Sequence, residues 1–346
     1  MHIQLRNIGM IREADVRIDG LTVIAGENDT GKSTVGKVLF ALIKADMISL
    51  LKHLRGQSKN FNENRKKNLD TQISLLFKQQ LSEDGNIELQ TENYKYVVKI
   101  KNNTTLKFDS SSAQSETEYQ RAFKDAIFIQ TPFVWDFFET FRGIANLKTE
   151  SELLGISTQI PFPYLLWDTY VKLTNEKENE EDYEQYVNEI EEIIGGRFKK
   201  DSRGNFKFYR ENKEFELINV AAGIRLFGLL QVLLSNTQIH NKRIIIFDEP
   251  EVHLHPKWQL KMAEIIVALV KNGVKIVVNS HSPYMVEALQ RYGEREEVTA
   301  DFYLAEDRYI RKVNNSNEET LSEIFRKLSE PFDVFEEMEM TRLLNG

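Results

Sequence analysis

Four short segments are almost continuously apolar: Leu21-Thr22-Val23-Ile24-Ala25, Ala126-Ile127-Phe128-Ile129, Ile244-Ile245-Ile246-Phe247 and Ile276-Val277-Val278. Turn or polar residues bound each one, and runs of that length predict buried strands. The amino terminus behaves differently. Residues 3–7 and 14–18 read as separate strands, with turns at Gly9 and Asp19-Gly20, ahead of the run at 21–25. Apolar spacing of three and four predicts a helix over 34–44, with Val35, Val38, Leu39 and Leu42 on one side, and others over 223–236, 257–272 and 283–291. Leu226 to Leu234 is the most apolar stretch, but it is short and contains Gln231, so it reads as a core helix and not a membrane span. Strands are expected at 243–247, 274–279, 300–304 and 309–313.

Two regions break this rhythm. Residues 45–125 are polar and rich in lysine and asparagine, with strands expected at 87–90, 94–101 and 104–108 and an exposed loop at Ser110-Ser111-Ser112. Residues 134–194 are mostly helical in pattern. Their acidic part, from Glu176 to Glu192, carries Tyr183, Tyr186, Val187 and Ile190 at helical spacing, as a solvated helix face would. Gly195-Gly196 ends that insert, and a hairpin turning at Asp201 to Asn205 leads on through 214–218. In the tail, Leu321, Ile324, Phe325 and Leu328 recur at helical spacing. Pro331 is expected to break that helix, and Phe332, Val334 and Phe335 to begin a second one with Met338 and Leu343.

The chemistry enters at the junctions. Gly26-Glu27-Asn28-Asp29-Thr30-Gly31-Lys32-Ser33 has the G-x-x-x-x-G-K-S spacing of a phosphate-binding P-loop, set between a strand and a helix. Backbone amides and the helix dipole then face an anion, Gly26 and Gly31 permit the tight turn, and Lys32 reaches the β/γ-phosphates. The Ser33 hydroxyl is placed to bind Mg²⁺. Asn28, Asp29, Thr30 and Thr34 complete the expected ATP-binding set. A second strand ends at Asp248-Glu249-Pro250, two adjacent carboxylates that strand alternation points different ways. Asp248 is expected in the Mg²⁺ shell and Glu249 near the γ-phosphate, polarising water as a base. A third strand ends at Ser280-His281-Ser282-Pro283, where His281 can donate to the γ-phosphate or its attacking water. His253 and His255 lack the further ligands of a metal site. Arg65-Lys66-Lys67, and Lys199-Lys200 with Arg203, are short enough to be solvated surface.

Composition narrows the setting. Lys and Arg total 45 against 53 Asp and Glu, a net charge of −8, which argues against a basic nucleic-acid coat but leaves room for a local groove. With no cysteine there is neither a disulfide nor a thiolate metal site, as suits a reducing compartment. Met1 leads straight into strand-like sequence without a signal-peptide core. The expectation is a soluble, cytoplasmic protein with no membrane partner.

The P-loop, the strand-end Asp248-Glu249-Pro250 and the strand-end His281, with a helical insert between the first two, resemble the ABC-type ATPase heads of SMC, RecF and OLD-like proteins. Asp248-Glu249-Pro250-Glu251-Val252-His253-Leu254-His255-Pro256 is similar to the Walker B and D-loop of the OLD/RecF-like branch, and Ser280-His281-Ser282-Pro283-Tyr284 to its switch histidine. The implied fold is an α/β P-loop NTPase head with a β-rich N-terminal lobe and a helical insert. One head would span 1–346: a P-loop lobe at 1–133, the insert at 134–205, a lobe with signature, Walker B and switch histidine at 206–317, and a helical tail at 318–346. The resemblance makes Gln130 the Q-loop residue, reaching Mg²⁺ or the lytic water. It places Ala222 and Gly223 in the ABC signature, where Ala222 replaces the usual serine and removes one hydrogen bond to the nucleotide of the opposite subunit. The His253–His255 turn becomes a D-loop at a dimer seam.

By the same resemblance the protein is a homodimer sandwiching two ATP molecules, an ATP-hydrolysing clamp. OLD nucleases carry a C-terminal acidic metal-binding domain, for which a chain ending at Gly346 leaves no room. The leading expectation is therefore an ATPase subunit regulating a separate nuclease or toxin effector in a bacterial anti-phage module. A RecF-like clamp in DNA repair or replication, with DNA as its partner, is the alternative; a transporter ATPase fits poorly. The tail from 318 either folds back on the head or binds the partner.

Overall fold

The computed structural model describes residues 1–57, 61–78, 81–91, 95–102, 104–111, 125–130, 132–153, 162–175 and 183–344. Its strands are β1 (His2–Ile8), β2 (Ile11–Arg17), β3 (Leu21–Ala25), β4 (Asp84–Gln90), β5 (Lys95–Lys101), β6 (Thr104–Ser111) and β7 (Asp125–Ile129). The second half of the chain adds β8 (Arg197–Lys200), β9 (Phe206–Arg210), β10 (Lys213–Glu216), β11 (Arg243–Asp248), β12 (Lys275–Ser280), β13 (Ala300–Glu306) and β14 (Tyr309–Arg311). The helices are α1 (Lys32–Leu54), α2 (Phe61–Phe77), α3 (Phe138–Leu153), α4 (Tyr164–Thr174), α5 (Glu184–Ile194), α6 (Ala222–Ser235), α7 (Pro256–Lys271), α8 (Pro283–Arg295) and α9 (Asn317–Leu344).

An 11-stranded sheet runs in the order β6-β5-β4-β1-β2-β14-β13-β3-β12-β11-β7, beside a small β10-β9-β8 sheet. The four apolar runs are its parallel end: β3, β12, β11 and β7 pair side by side, with β13 parallel to β3 on the other flank. β6, β5, β4, β1 and β2 form an antiparallel end. A parallel strand covered on both faces has no side that can be polar, which is why these runs are continuous. Ile24, Ile244, Ile246 and Val277 enter the core beneath α1, against Val35, Val38 and Leu39. Val23, Ile245, Phe247, Ile276 and Val278 face the opposite core with residues of α6 and α7 such as Leu230 and Ile266. The fold is that of a P-loop NTPase.

The polar stretch departs from expectation. α1 continues ten residues past the predicted end at 44, and α2, unforeseen, packs along it. Polar contacts hold this pair. Arg65, expected on the solvated surface, is instead buried, its Nε 2.7 Å from Asp46 Oδ1 and its guanidinium 4.1 Å from the Tyr96 ring centre. Asn68 Nδ2 donates to Ser49 Oγ at 2.7 Å, and Lys52 Nζ to Asn68 Oδ1 at 3.0 Å. A buried ion network of Lys44, Asp125, Asp168 and Lys172 ties α1 and α4 to the start of β7. Periodicity arguments count apolar faces and cannot see an interface made of paired polar groups.

Three smaller differences follow. Ser110 and Ser111 extend β6 instead of forming a loop; Ser112, Tyr94, Thr131, residues 176–182 and residues 345–346 lie outside the described residues. α9 runs through Pro331 without breaking. A proline deletes one amide and strands one carbonyl a turn earlier, a penalty the remaining turns of a 28-residue helix absorb. The start of α9 docks on the head: Leu321 and Ile324 are core residues, Phe325 and Leu328 pack against them, and Asn317 Nδ2 donates to Ala300 O at 2.8 Å. Fold-back is thus the state of 317–328, and Phe325 is not a free anchor.

Candidate nucleotide-binding site

Register brings the predicted residues together. Ala25 pairs with Ser280, Asp248 with Asn279, and Phe247 with Ile129, so β3, β12, β11 and β7 end level on one edge. From that edge emerge, side by side, Gly26, His281, Glu249 and Gln130. Gln130, one residue past β7, comes level with Asp248.

The loop from Gly26 is built around close approaches. A Cβ on Gly26 would lie 2.1 Å from the Ala305 carbonyl of β13. Gly31 has φ +91°, and a Cβ there would meet Ile11 at 2.8 Å. Both demand glycine. Asn28 and Asp29 are exposed at the loop tip, Asp29 with φ 67°, while Thr30 Oγ1 donates to Glu27 O at 2.9 Å and Thr34 N to Gly31 O at 2.9 Å. Gly31, in the N-cap position, supplies no side-chain cap to α1, which leaves the leading amides for an anion. Lys32 is 4% exposed and its Nζ donates to the carbonyls of Gly26 and Glu27. Burial pulls its pKa below the usual lysine value, against the pull of Glu249, Asp248, Glu251 and Glu27 toward the charged form.

Ser33 Oγ donates to Asp248 Oδ1 at 2.8 Å. Two oxygens cis on an Mg²⁺ octahedron, with bonds of about 2.0–2.1 Å, stand about 2.9 Å apart, so this hydroxyl and carboxylate are spaced as a pair of ligands for that ion. Asn279 Nδ2 also donates to Asp248 Oδ1 at 2.8 Å and orients the carboxylate. Asn279 was missed in the sequence as a site residue. Its signal is a fully buried amide ending the apolar run of β12, in register with Asp248.

Glu249 takes a left-handed backbone (φ 56°), held by its amide donating to Asn279 O at 2.9 Å. The side chain thereby turns out of the strand, and its Oε1 lies 3.4 Å from His281 Nδ1. Glu251 is the other residue without an assigned role. Its Oε1 accepts from Ser280 Oγ at 2.7 Å, His281 N at 2.8 Å and Ser282 N at 3.2 Å. Burial raises the pKa of Glu251 above the usual carboxylate range, opposed by those donors and by the nearby His281. The signal was a third acid two residues beyond the expected pair.

Ala222 and Gly223 begin α6, whose N-cap Ala221 provides no side-chain cap. The nearest neighbours of a Gly223 side chain would be His253 O at 3.0 Å, Trp258 at 3.2 Å and Leu254 at 3.3 Å, atoms of the turn after Glu249 and not of the P-loop. Past Gln130, Trp135 Nε1 donates to Arg225 O at 2.9 Å and Asp136 pairs with Arg225 at 2.5 Å, joining the segment after β7 to α6. His255 caps α7, its Nδ1 accepting from Lys257 N at 3.2 Å.

Residues 165–286, which include Asp248, Glu249 and His281, match the AAA ATPase domain family model. Over that stretch the chain is therefore similar to an AAA ATPase domain. A 45-residue segment of the chain is 42% identical to the Septu protein PtuA of Bacillus thuringiensis; it amounts to 13% of this chain and 11% of that relative. Among solved structures, the chain is similar to the SMC head domain from Thermotoga maritima (10% identity, 88% of this chain and 93% of that one, TM-score 0.47). It is also similar to an Smc head domain with an extended coiled coil, bound to the C-terminal domain of ScpA, derived from Pyrococcus furiosus (11%, 94% and 98%, TM-score 0.47). A third is an ATP-binding cassette of an ABC transporter in its ADP conformation (13%, 96% and 97%, TM-score 0.41). No described helix of the chain is long and apolar enough to cross a membrane.

Proposed function

We propose that this protein is an ATPase that binds and hydrolyses ATP as a dimeric, ATP-gated clamp and regulates a separately encoded effector, a nuclease or toxin, in an anti-phage defence module. The observation carrying the ATPase part is the meeting, on one sheet edge, of Lys32, the Ser33–Asp248 pair and the Glu249–His281 pair. Lys32 leaves its loop carbonyls for the β/γ-phosphates. Ser33 and Asp248 hold Mg²⁺, which when bound neutralises phosphate charge. Glu249 takes one proton of the attacking water, His281 accepts that water's other hydrogen through its outer ring nitrogen, and Gln130 completes the water's surroundings.

What supports the dimer is the position of Ala222 and Gly223. Their helix start packs on its own 253–258 turn, so the uncapped amides suit a nucleotide held by a second subunit. The segment shared with the Septu protein supports the defence setting. Glu249→Gln is expected to keep nucleotide affinity and slow turnover by roughly a hundredfold, the scale of a lost general base. With ATP and Mg²⁺ it is expected to double its mass in light scattering. Wild-type turnover in that variant would place the base elsewhere, and a mass indifferent to ATP would sink the clamp.

A further inference from the structure

We propose that Glu251 is a positioning residue, setting the ring orientation and tautomer of His281; this rests on the nucleotide reading above. Two carboxylates face His281 Nδ1, Glu249 Oε1 at 3.4 Å and Glu251 Oε1 at 3.5 Å. They are not equivalent. The Glu249 side chain is 34% exposed, whereas that of Glu251 is 3% exposed and clamped by three donors from residues 280–282. The clamp has a second brace: Ser282 Oγ donates to Gln259 Oε1 at 2.6 Å, and Gln259 Nε2 donates to Leu254 O at 3.1 Å. The loop bearing His281 is thereby tied to the turn bearing Glu251.

A neutral imidazole carries one N–H, and a carboxylate at one nitrogen holds the proton there. With the proton on Nδ1, Nε2 is left facing away from the acids. His281 Nδ1 is buried with no hydrogen-bond partner among the described residues and lies 3.5 Å from Glu251 Oε1, close enough for a small ring shift to close the contact; Glu251 Oε2 is likewise buried without a partner among them. A fixed acceptor has a kinetic use. Were Glu249 alone to orient the ring, its carboxylate would be engaged by the histidine when it must polarise water. Glu251 takes over that contact and leaves Glu249 to the water.

The test uses the full chain labelled with ¹⁵N, the His281→Ala spectrum assigning the ring. Glu251→Ala strips three donors of a buried acceptor and is liable to unfold, so Glu251→Gln, which keeps an oxygen for the loop and removes the charge, is the deciding variant. In the wild type His281 is expected as the Nδ1–H tautomer, shifting toward Nε2–H in Glu251→Gln. In the same variant kcat should fall roughly tenfold with KM within about twofold, in keeping with a group acting on the reacting geometry alone. A wild-type ring protonated at Nε2, or a Glu251→Gln variant with wild-type tautomer and kcat, would overturn the proposal. The ring measurement needs no nucleotide, so failure of the wild type to bind ATP would defeat the function proposed above and leave this result standing.

Discussion

Paired polar side chains occur at both ends of the large sheet, in opposite circumstances. At the ends of β3, β12 and β11, Glu249 and His281 lie 3.4 Å apart with a third or more of each side chain open to solvent, and Lys32 and Ser33 hold protein oxygens that a phosphate and a metal ion would take over. Between α1 and α2, Arg65 and Asp46 lie 2.7 Å apart and are shut in by Tyr96. The first set has partners it can exchange, as the proposed catalysis requires; the second has partners it cannot lose, because an unpaired buried charge is costly. Polar groups of one chain therefore serve chemistry or cohesion according to whether a strand end leaves them open or a second helix closes over them.

The contrast is sharpest at Lys32. Lys32→Ala should leave no measurable ATP binding, since the phosphates lose the P-loop cation, while thermal unfolding moves little. Unchanged affinity by calorimetry would remove the P-loop assignment. Arg65→Ala should do the reverse. It leaves Asp46 buried without its cation, expected to cost roughly 3–5 kcal/mol in urea unfolding, with kcat per folded molecule unchanged. A fall in kcat at full stability would make the α1–α2 contact part of the site and erase the comparison.

The smallest effect is a pH dependence. Burial pushes Asp46 up to about 6 from an ordinary 3.8, against the Arg65 cation. A folded-state value above the unfolded one means that protonation favours folding. That contribution is complete below about 3.8 and is lost as pH rises through about 6. Relative to Asp46→Asn, the wild type should therefore gain melting temperature as pH falls from 7 to 5. A relative gain on raising the pH would show that the Arg65 pairing outweighs burial.

The site was legible where its chemistry is written contiguously. Gly26 to Ser33 needs its glycines for close approach and its lysine beside them, and Asp248-Glu249 must follow an apolar strand directly. Roles carried across elements were not legible. Asn279 acts on Asp248 from a neighbouring strand, and Glu251 acts on residues 280–282 from about thirty positions earlier in the chain. α2 escaped notice because the face it buries is polar, and Pro331 misled because one missing amide does not outweigh the turns on either side.

By itself the sequence determined the buried parallel strands, the glycine-rich loop and the acid and histidine at strand ends, because each is a local pattern whose physics needs only neighbouring residues. The tertiary structure alone decided which strand lies beside which, and so that Ser33 meets Asp248 across 215 positions of chain and Glu251 meets His281. Register sets those meetings, and register depends on packing between both faces of the sheet, a property no single segment contains.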